Sequence, residues 1–283
     1  NVIVLRTRES VMKIKREPMK RISKNSNFIA GAVLTGLILL FIIIGCIHTP
    51  YDPEAMDGAG RFAGISWRHP MGCDNFGRDI LSRVMTGAGT TLGVAFATVA
   101  IGAFFGVIWG AFAGYYGGLL DEIFMRAADA MLAFPSILLA LMIIGLFGPG
   151  KYNVILALGI AFVPSFARIV RSEFIRCKNM DYVRSARLMG AGNLRIMFVH
   201  ILPNAFPVIL SSVLIGFNNA VLAEAGMNYL GIGVMPPDAS LGRMLSEAQT
   251  YIFSAPGYAI FPGIVLILMI LGFSLLGEGV RDN

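Results

Sequence analysis

Long apolar runs separated by short charged or proline-rich breaks set the pattern of this chain. Residues 28–47 form a first run of 20 residues, enough as a helix to cross the ~30 Å hydrocarbon core of a bilayer. Runs at 87–114, 130–147, 153–170, 205–233 and 257–276 follow, and each predicts a further membrane-crossing helix. The second run is rich in Gly and Ala, which lets helices approach closely in lipid. Phe134-Pro135 predicts a kink in the third. The pattern predicts an all-α polytopic membrane protein with six spans.

The breaks carry the polar chemistry. Residues 48–83 hold Pro50, Pro53 and Pro70 with several glycines, which predicts an irregular loop. At its end Gly77-Arg78-Asp79 suits a turn that opens a helix, with Asp79 near the positive end and Arg78 and Arg83 free to meet phosphate headgroups or a docked protein. The longest charged stretch, 168–204, holds seven of the 23 Lys and Arg residues between two apolar runs, so it cannot lie in lipid. Within it Asn179 predicts an N-cap, and Tyr182, Ala186 and Met189 form an apolar stripe at helical spacing. Gly190-Ala191-Gly192 predicts a sharp turn, and a second short helix is expected from Asn193 to Pro203. Residues 171–204 therefore read as a helix-turn-helix elbow.

Charge then orients the chain. Residues 1–27 carry eight basic residues against Glu9 and Glu17, and no small-residue cleavage site follows the first run, so this tail reads as a cytoplasmic tail ahead of a true span. With both termini inside, cytoplasmic segments hold 17 of the 23 basic residues, the bias the positive-inside rule requires. At 56% hydrophobic, 14% charged and mean hydropathy +0.71, the chain is too apolar for an ordinary soluble domain. The net charge of +6 sits in blocks that flank apolar runs, which argues against nucleic-acid binding.

Several motifs now resemble one family. Asp181-Tyr182-Val183, Ala186, Gly190-Ala191, Arg195-Ile196 and His200-Ile201-Leu202-Pro203-Asn204 resemble the cytoplasmic coupling loop of ATP-binding-cassette importer permeases. His69-Pro70-Met71-Gly72-Cys73-Asp74-Asn75-Phe76-Gly77-Arg78-Asp79, ending at Ser82-Arg83, resembles the outer-loop signature of the dipeptide, oligopeptide and nickel group, with Cys73 in place of Thr. Gly114-Tyr115-Tyr116-Gly117-Gly118 with Asp121, the segment 230–237 and Gly277-Glu278-Gly279-Val280-Arg281-Asp282 are similar to the same group. Two departures stand in the elbow, Arg184 where Glu is common and Ser185 where Ala is usual; Leu241 stands where Trp is common.

The resemblance implies a type I importer permease fold in a bacterial or archaeal cell membrane. It also implies a second related permease, two cytoplasmic ATPases that carry ATP and magnesium, and an extracytoplasmic binding protein. The elbow residues Asp181, Tyr182, Arg184, Ser185, Ala186, Gly190, Ala191, Arg195 and Pro203 would couple to the ATPases, and Gly72, Asp74, Gly77, Arg78, Asp79 and Arg83 would form the outer motif. Transport would proceed by alternating access.

Other chemistry is weaker. Gly145 to Lys151 has the spacing of a phosphate-binding loop, but Tyr152 fills the Ser/Thr position and a span precedes it, so this chain is not expected to hydrolyse ATP or bind a cofactor. Cys46, Cys73 and Cys177 are isolated. Acids and imidazoles gather at His48, Asp52, Glu54, Asp57 and His69, but the prolines fix no metal geometry, so no metal site is assigned. Glu224, with Asn218 and Asn219 nearby, lies within the fifth run; it reads either as a pathway or gate residue or as a helix-pairing group near the outer end. An intramembrane enzyme would need a His-carboxylate or nucleophile-base set that the spans lack, and a channel would need repeated selectivity elements. Short peptides are the expected cargo, because the spans offer amides, hydroxyls and aromatics but no His or Cys pair; nickel or a metal chelate is the alternative.

Overall fold

The computed structural model describes residues 26–281; nearly all of the basic tail expected at 1–27, and Asp282, lie outside them. Nine helices carry the described chain: α1 (Ser26–Ile47), α2 (Ile80–Tyr116), α3 (Gly118–Leu132), α4 (Ser136–Phe147), α5 (Lys151–Cys177), α6 (Asp181–Leu188), α7 (Asn193–Tyr229), α8 (Leu241–Ala248) and α9 (Gly257–Arg281). Short 3-10 turns sit at Gly58–Gly60 and Gln249–Tyr251, and among the described residues the only β pairing is an isolated Cys73–Asp79 bridge. Five helices, α1, α2, α5, α7 and α9, are long and apolar enough to cross a membrane.

The third expected span differs from a kinked rod. Leu132 and Ser136 bracket a break at which α3 and α4 bend by 88°. Pro135 cannot donate to a helical ladder and biases Phe134 away from helical backbone, so the chain turns there. With 12 residues, α4 reaches only about 18 Å. The amphipathic α3 is tied instead to the end of α5, where Arg171 grips Asp121 with two bonds of 2.5 and 2.6 Å and Arg168 pairs with Asp129.

Whether the bent pair counts as one crossing is settled by the helices on either side of it. On α2, Gly102, Gly106, Gly110 and Gly114 fall every four residues, and a Cβ at each would strike Phe162, Phe166, the Ala167 carbonyl and the Arg171 carbonyl in turn. Both series ascend together, so α2 and α5 are parallel. Two parallel spans joined in sequence require the chain between them to return across the membrane, which makes α3–α4 a broken sixth crossing. By the same reading α1 runs antiparallel to α9, with Gly31 against Leu276 and Gly279 against Phe28. Gly45 against Met85 and Gly89 against Ile42 set α1 antiparallel to α2. Both ends of the described chain therefore lie on one face of the bundle, together with the end of α2 and the elbow. All-α architecture with six crossings agrees with the sequence pattern.

Helix boundaries overrun the apolar runs. Residues 171–177, expected in the elbow, are instead the last turns of α5. Helix α7 begins at Asn193 and continues to Tyr229, so the expected stop at Pro203 is absent. Residues Ile196–Ile201 take π-helical form, and Leu202 N–H bonds Met197 O. Pro203 falls in the first regular turn beyond, where its missing N–H is tolerated. Asn204 Nδ2 donates to His200 O at 2.6 Å.

Two buried clusters result. The larger links α1, α2, α4, α5, α7, α8 and α9. A smaller one at the elbow face gathers Tyr115, Val170, Phe174, Val183, Ala186, Ile196, Met197 and Ile201.

Candidate functional site

The elbow is built from a short helix and a glycine turn. Asp181 places a carboxylate in the first turn of α6, while Met180, not Asn179, holds the cap position and makes no side-chain bond. Gly190 has φ +82°, Gly190 N–H bonds Arg187 O at 3.0 Å and Ala191 N–H bonds Ala186 O at 3.0 Å. That pair of bonds is a Schellman ending, which needs the left-handed backbone that glycine adopts without strain. The inner stripe is Val183 and Ala186 with Tyr182 half-buried against them; Met189 is not part of it, because the helix ends at Leu188. Leu188 and Met189 are instead 89% and 80% exposed, Leu194 also projects, and Ser185 and Arg195 face outward with them. Arg184, 3.8 Å from Asp181 in an exposed pair, presents a cation beside this apolar knuckle. Of the predicted coupling residues, Ala186 is buried and Pro203 lies exposed beyond the π turn.

At the opposite face the outer motif is a folded ion-pair hub. Asp74, fully buried, accepts from the backbone N–H groups of Phe76 and Arg78 and from Arg78 Nε at 2.7 Å. Asp79 caps α2, accepting from Ser82 N–H at 2.8 Å and contacting His69 Nδ1 at 2.9 Å, so its sequence reading holds. Gly72 and Gly77 take positive φ, and a Cβ at either would collide with backbone across the loop. Arg78 and Arg83 correct the expectation that they are free: their side chains are 9% and 2% exposed, and both reach Glu247, at 3.3 and 3.2 Å. Glu247 also accepts from Arg243 Nε and Tyr258 Oη, each at 2.8 Å. Burial raises the Glu247 carboxyl, but the Tyr258 bond and the Arg83, Arg243 and Arg78 cations together hold it below the usual carboxylate range. Burial, with Asp79, Asp74 and Asp57 nearby, pushes the Cys73 thiol up. Sequence reasoning missed Glu247; its i,i+4 relation to Arg243 was the available signal.

The pathway candidates separate. Glu224 is fully buried; it accepts from Asn228 Nδ2 at 2.5 Å and from Thr91 Oγ1 at 3.3 Å. Thr91 in turn receives Leu241 N–H at 3.1 Å, and Asn228 Oδ1 receives Val234 N–H at 2.6 Å. Glu224 thus ties α7 to α2 and to the segment before α8, the helix-pairing alternative of the sequence reading. Asn218 is half-buried, and Asn219 lines the cavity beside the α3–α4 bend. That cavity, about 550 Å³, opens between the α3–α4 bend, α5 and α7, and carries Ser136, Ser165, Ser212 and Asn219 among Phe134, Phe162 and Phe166. Among the described residues no ionisable side chain lines it. Among the described residues no three His, Cys, Asp or Glu side chains converge as metal ligands. Lys151, the lysine of the phosphate-loop spacing, opens α5 and lies 3.4 Å from Asp238.

Residues 106–282 match the model of the binding-protein-dependent transport system inner membrane component family. The chain belongs to that family. The permease is 39% identical over 267 residues to the dipeptide transport system permease protein DppC of Alkalihalophilus pseudofirmus, covering 94% of this chain and 88% of that one. It is 35% identical to DppC of Haemophilus influenzae over 92% and 90% of the two chains. A glutathione transport system permease, GsiD of Pectobacterium atrosepticum, is 38% identical over 89% and 85%. In fold the permease resembles an inward-facing MetNI methionine ABC transporter chain, with TM-score 0.59 and 19% identity over 70% of this chain and 95% of that one. A second likeness is to an amino acid ABC transporter, TM-score 0.55 and 21% identity over 71% and 94%. Membership makes this chain a multi-pass membrane component of a transport system.

Proposed function

We propose that this permease imports short peptides as one half of a paired translocation pathway, driven by two cytoplasmic ATPases and fed by an extracytoplasmic binding protein. ATP and magnesium belong to the ATPase partners, and this chain is the non-catalytic membrane subunit. The observation that carries the coupling role is the elbow, an exposed apolar knuckle of Leu188, Met189 and Leu194 on a backbone fixed by Gly190. Exposed apolar groups of that size on a rigid support fit a docked protein partner. The surplus of basic residues in the elbow supports a cytoplasmic position for it and for the two ends of the described chain on the same face.

Peptide cargo is supported by two observations. Relatives of 35% and 39% identity are named dipeptide permeases, and the cavity between α4, α5 and α7 offers hydroxyl, amide and aromatic groups without charge. Such a lining meets a peptide's amides and side chains weakly and lets it leave, whereas a free metal ion would require several soft or anionic ligands. The reconstituted complex with its binding protein is expected to accumulate a labelled di- to oligopeptide in an ATP-dependent way. Accumulation of a nickel or metallophore complex, with no peptide uptake, overturns the peptide reading and leaves the permease role standing. For coupling, Gly190→Val is expected to leave the spans inserted while uptake is lost, because a β-branched residue disfavours φ +82°; wild-type uptake in that variant refutes the elbow's role.

A further inference from the structure

The last turn of α2 lies directly under the elbow. Tyr115 is 7% exposed and its ring belongs to the buried cluster with Val183, Ala186, Ile196 and Met197. Its hydroxyl donates to Asn193 Oδ1 at 2.9 Å and accepts from Arg187 Nη2 at 3.5 Å. Arg187 stands in the last turn of α6 and Asn193 opens α7, so one phenol holds both arms of the elbow across the Gly190 turn. Beside it Lys178 Nζ, at the entrance to the elbow, donates to the carbonyls of Gly114 at 3.2 Å and Tyr115 at 3.4 Å. These carbonyls end α2 and would otherwise lack partners.

The other face of the same helix cannot slide. Gly114, one residue before Tyr115, packs so closely that a Cβ there would lie 2.6 Å from Arg171 O and 2.8 Å from Phe174 Cβ on α5. From Gly102 to Gly114 the α2–α5 contact leaves no room for a methyl group. Helices α2 and α5 form one stiff parallel pair, and beside the Lys178 contacts and the shared buried cluster the Tyr115 hydroxyl is the tie that holds both arms of the elbow to it.

We propose that Tyr115 is a positioning residue for energy coupling: it locks the two arms of the elbow to the α2–α5 pair, so that a displacement of the elbow moves that pair as a body. This rests on the coupling role of the elbow proposed above. Tyr115 is buried beneath the elbow, so it acts through Asn193 and Arg187 rather than by touching the ATPase. Without the lock, the elbow keeps its apolar seat but can rotate about the Gly190 turn, and part of each stroke is lost as relative motion.

The test uses the whole reconstituted complex and reads peptide uptake and ATP hydrolysis together. Tyr115→Phe keeps the ring and removes the hydroxyl; peptide imported per ATP hydrolysed is expected to fall about three- to tenfold, the factor that loss of one buried hydrogen bond corresponds to. The ATPases are expected to copurify with the variant as with wild type. Asn193→Ala should give the same defect, the double variant should be no worse than either, and Asn193→Asp, which still accepts from the phenol, should restore coupling. A wild-type ratio in Tyr115→Phe, or independent addition of the two single effects, overturns the proposal. If Gly190→Val abolishes uptake and Tyr115→Phe does not alter the ratio, this lock alone fails; wild-type uptake in Gly190→Val removes the coupling role beneath it.

Discussion

Arg83 and Glu247, 164 positions apart, meet at 3.2 Å with the arginine side chain only 2% exposed. Their contact joins the first turn of α2 to α8, and Tyr258 on the same carboxylate adds the start of α9. The outer loop is fastened into this hub through Asp74 and Arg78, so the proline-rich segment is an ordered cap rather than a loose connection.

Glu247→Ala leaves Arg83 buried with Asp74 as its remaining acid partner, at 3.6 Å. A loss of about 3 kcal/mol is expected, seen as a lower unfolding temperature of the purified protein in detergent or nanodiscs. The pH dependence has a definite sign. A carboxyl held below its ordinary value contributes stability that is complete above the unfolded pKa, about 4.3, and is lost as pH falls through the folded one. Wild type should therefore hold its unfolding temperature down to about pH 4.5 and lose part of it below, while Glu247→Gln should show a smaller loss over the acid range. Equal acid loss in both proteins contradicts the hub.

Gly106→Val brings a Cβ to 2.5 Å from Phe166 Cβ and 3.0 Å from Val163 O. Separation of α2 from α5 is expected to cost about 1–3 kcal/mol and to lower the amount of folded protein in membranes. Gly36→Ala, with nothing within 4 Å, is the matched control and should accumulate normally. Similar levels of both variants would mean that the glycine row does not hold the two helices.

Glu224 bonds Asn228 and Thr91 inside the protein and does not line the cavity. Glu224→Gln keeps an acceptor and should retain uptake within about twofold, whereas Glu224→Leu strands both partners and should destabilise by roughly 1–3 kcal/mol. Loss of uptake in a stable Glu224→Gln protein would restore the gate reading.

Single cysteines at Lys20, Lys178 and Asp282 are expected to resist a membrane-impermeant label in intact cells, while those at Asp57 and Asp238 react. Labelling of the first set from outside inverts the proposed orientation.

The apolar runs already announced an all-α membrane protein, because a bilayer demands about 20 consecutive apolar residues per helix whatever surrounds them. Gly190 and Asp79 were legible for a similar reason: a left-handed turn and a helix cap are settled by a few neighbouring residues. The elbow is legible in the sequence but its limits are not, since charge in the last turns of α5 and a proline in the first regular turn beyond the π segment look like loop and stop. Met189 continues the helical period of the inner stripe but stands outside it, because the helix ends one residue earlier.

What the amino-acid sequence determined alone is the set of membrane segments, the charge asymmetry between their ends, and the local turns and caps, all of which depend on residues near one another in the chain. Tertiary structure alone decided that α2 and α5 close on each other along a glycine row, that Arg83 is spent on Glu247, and that Tyr115 sits beneath both arms of the elbow. These relations join positions dozens to more than a hundred residues apart. No periodicity encodes them, because they follow from which helix faces fit closely enough to bury a charge or exclude a methyl group.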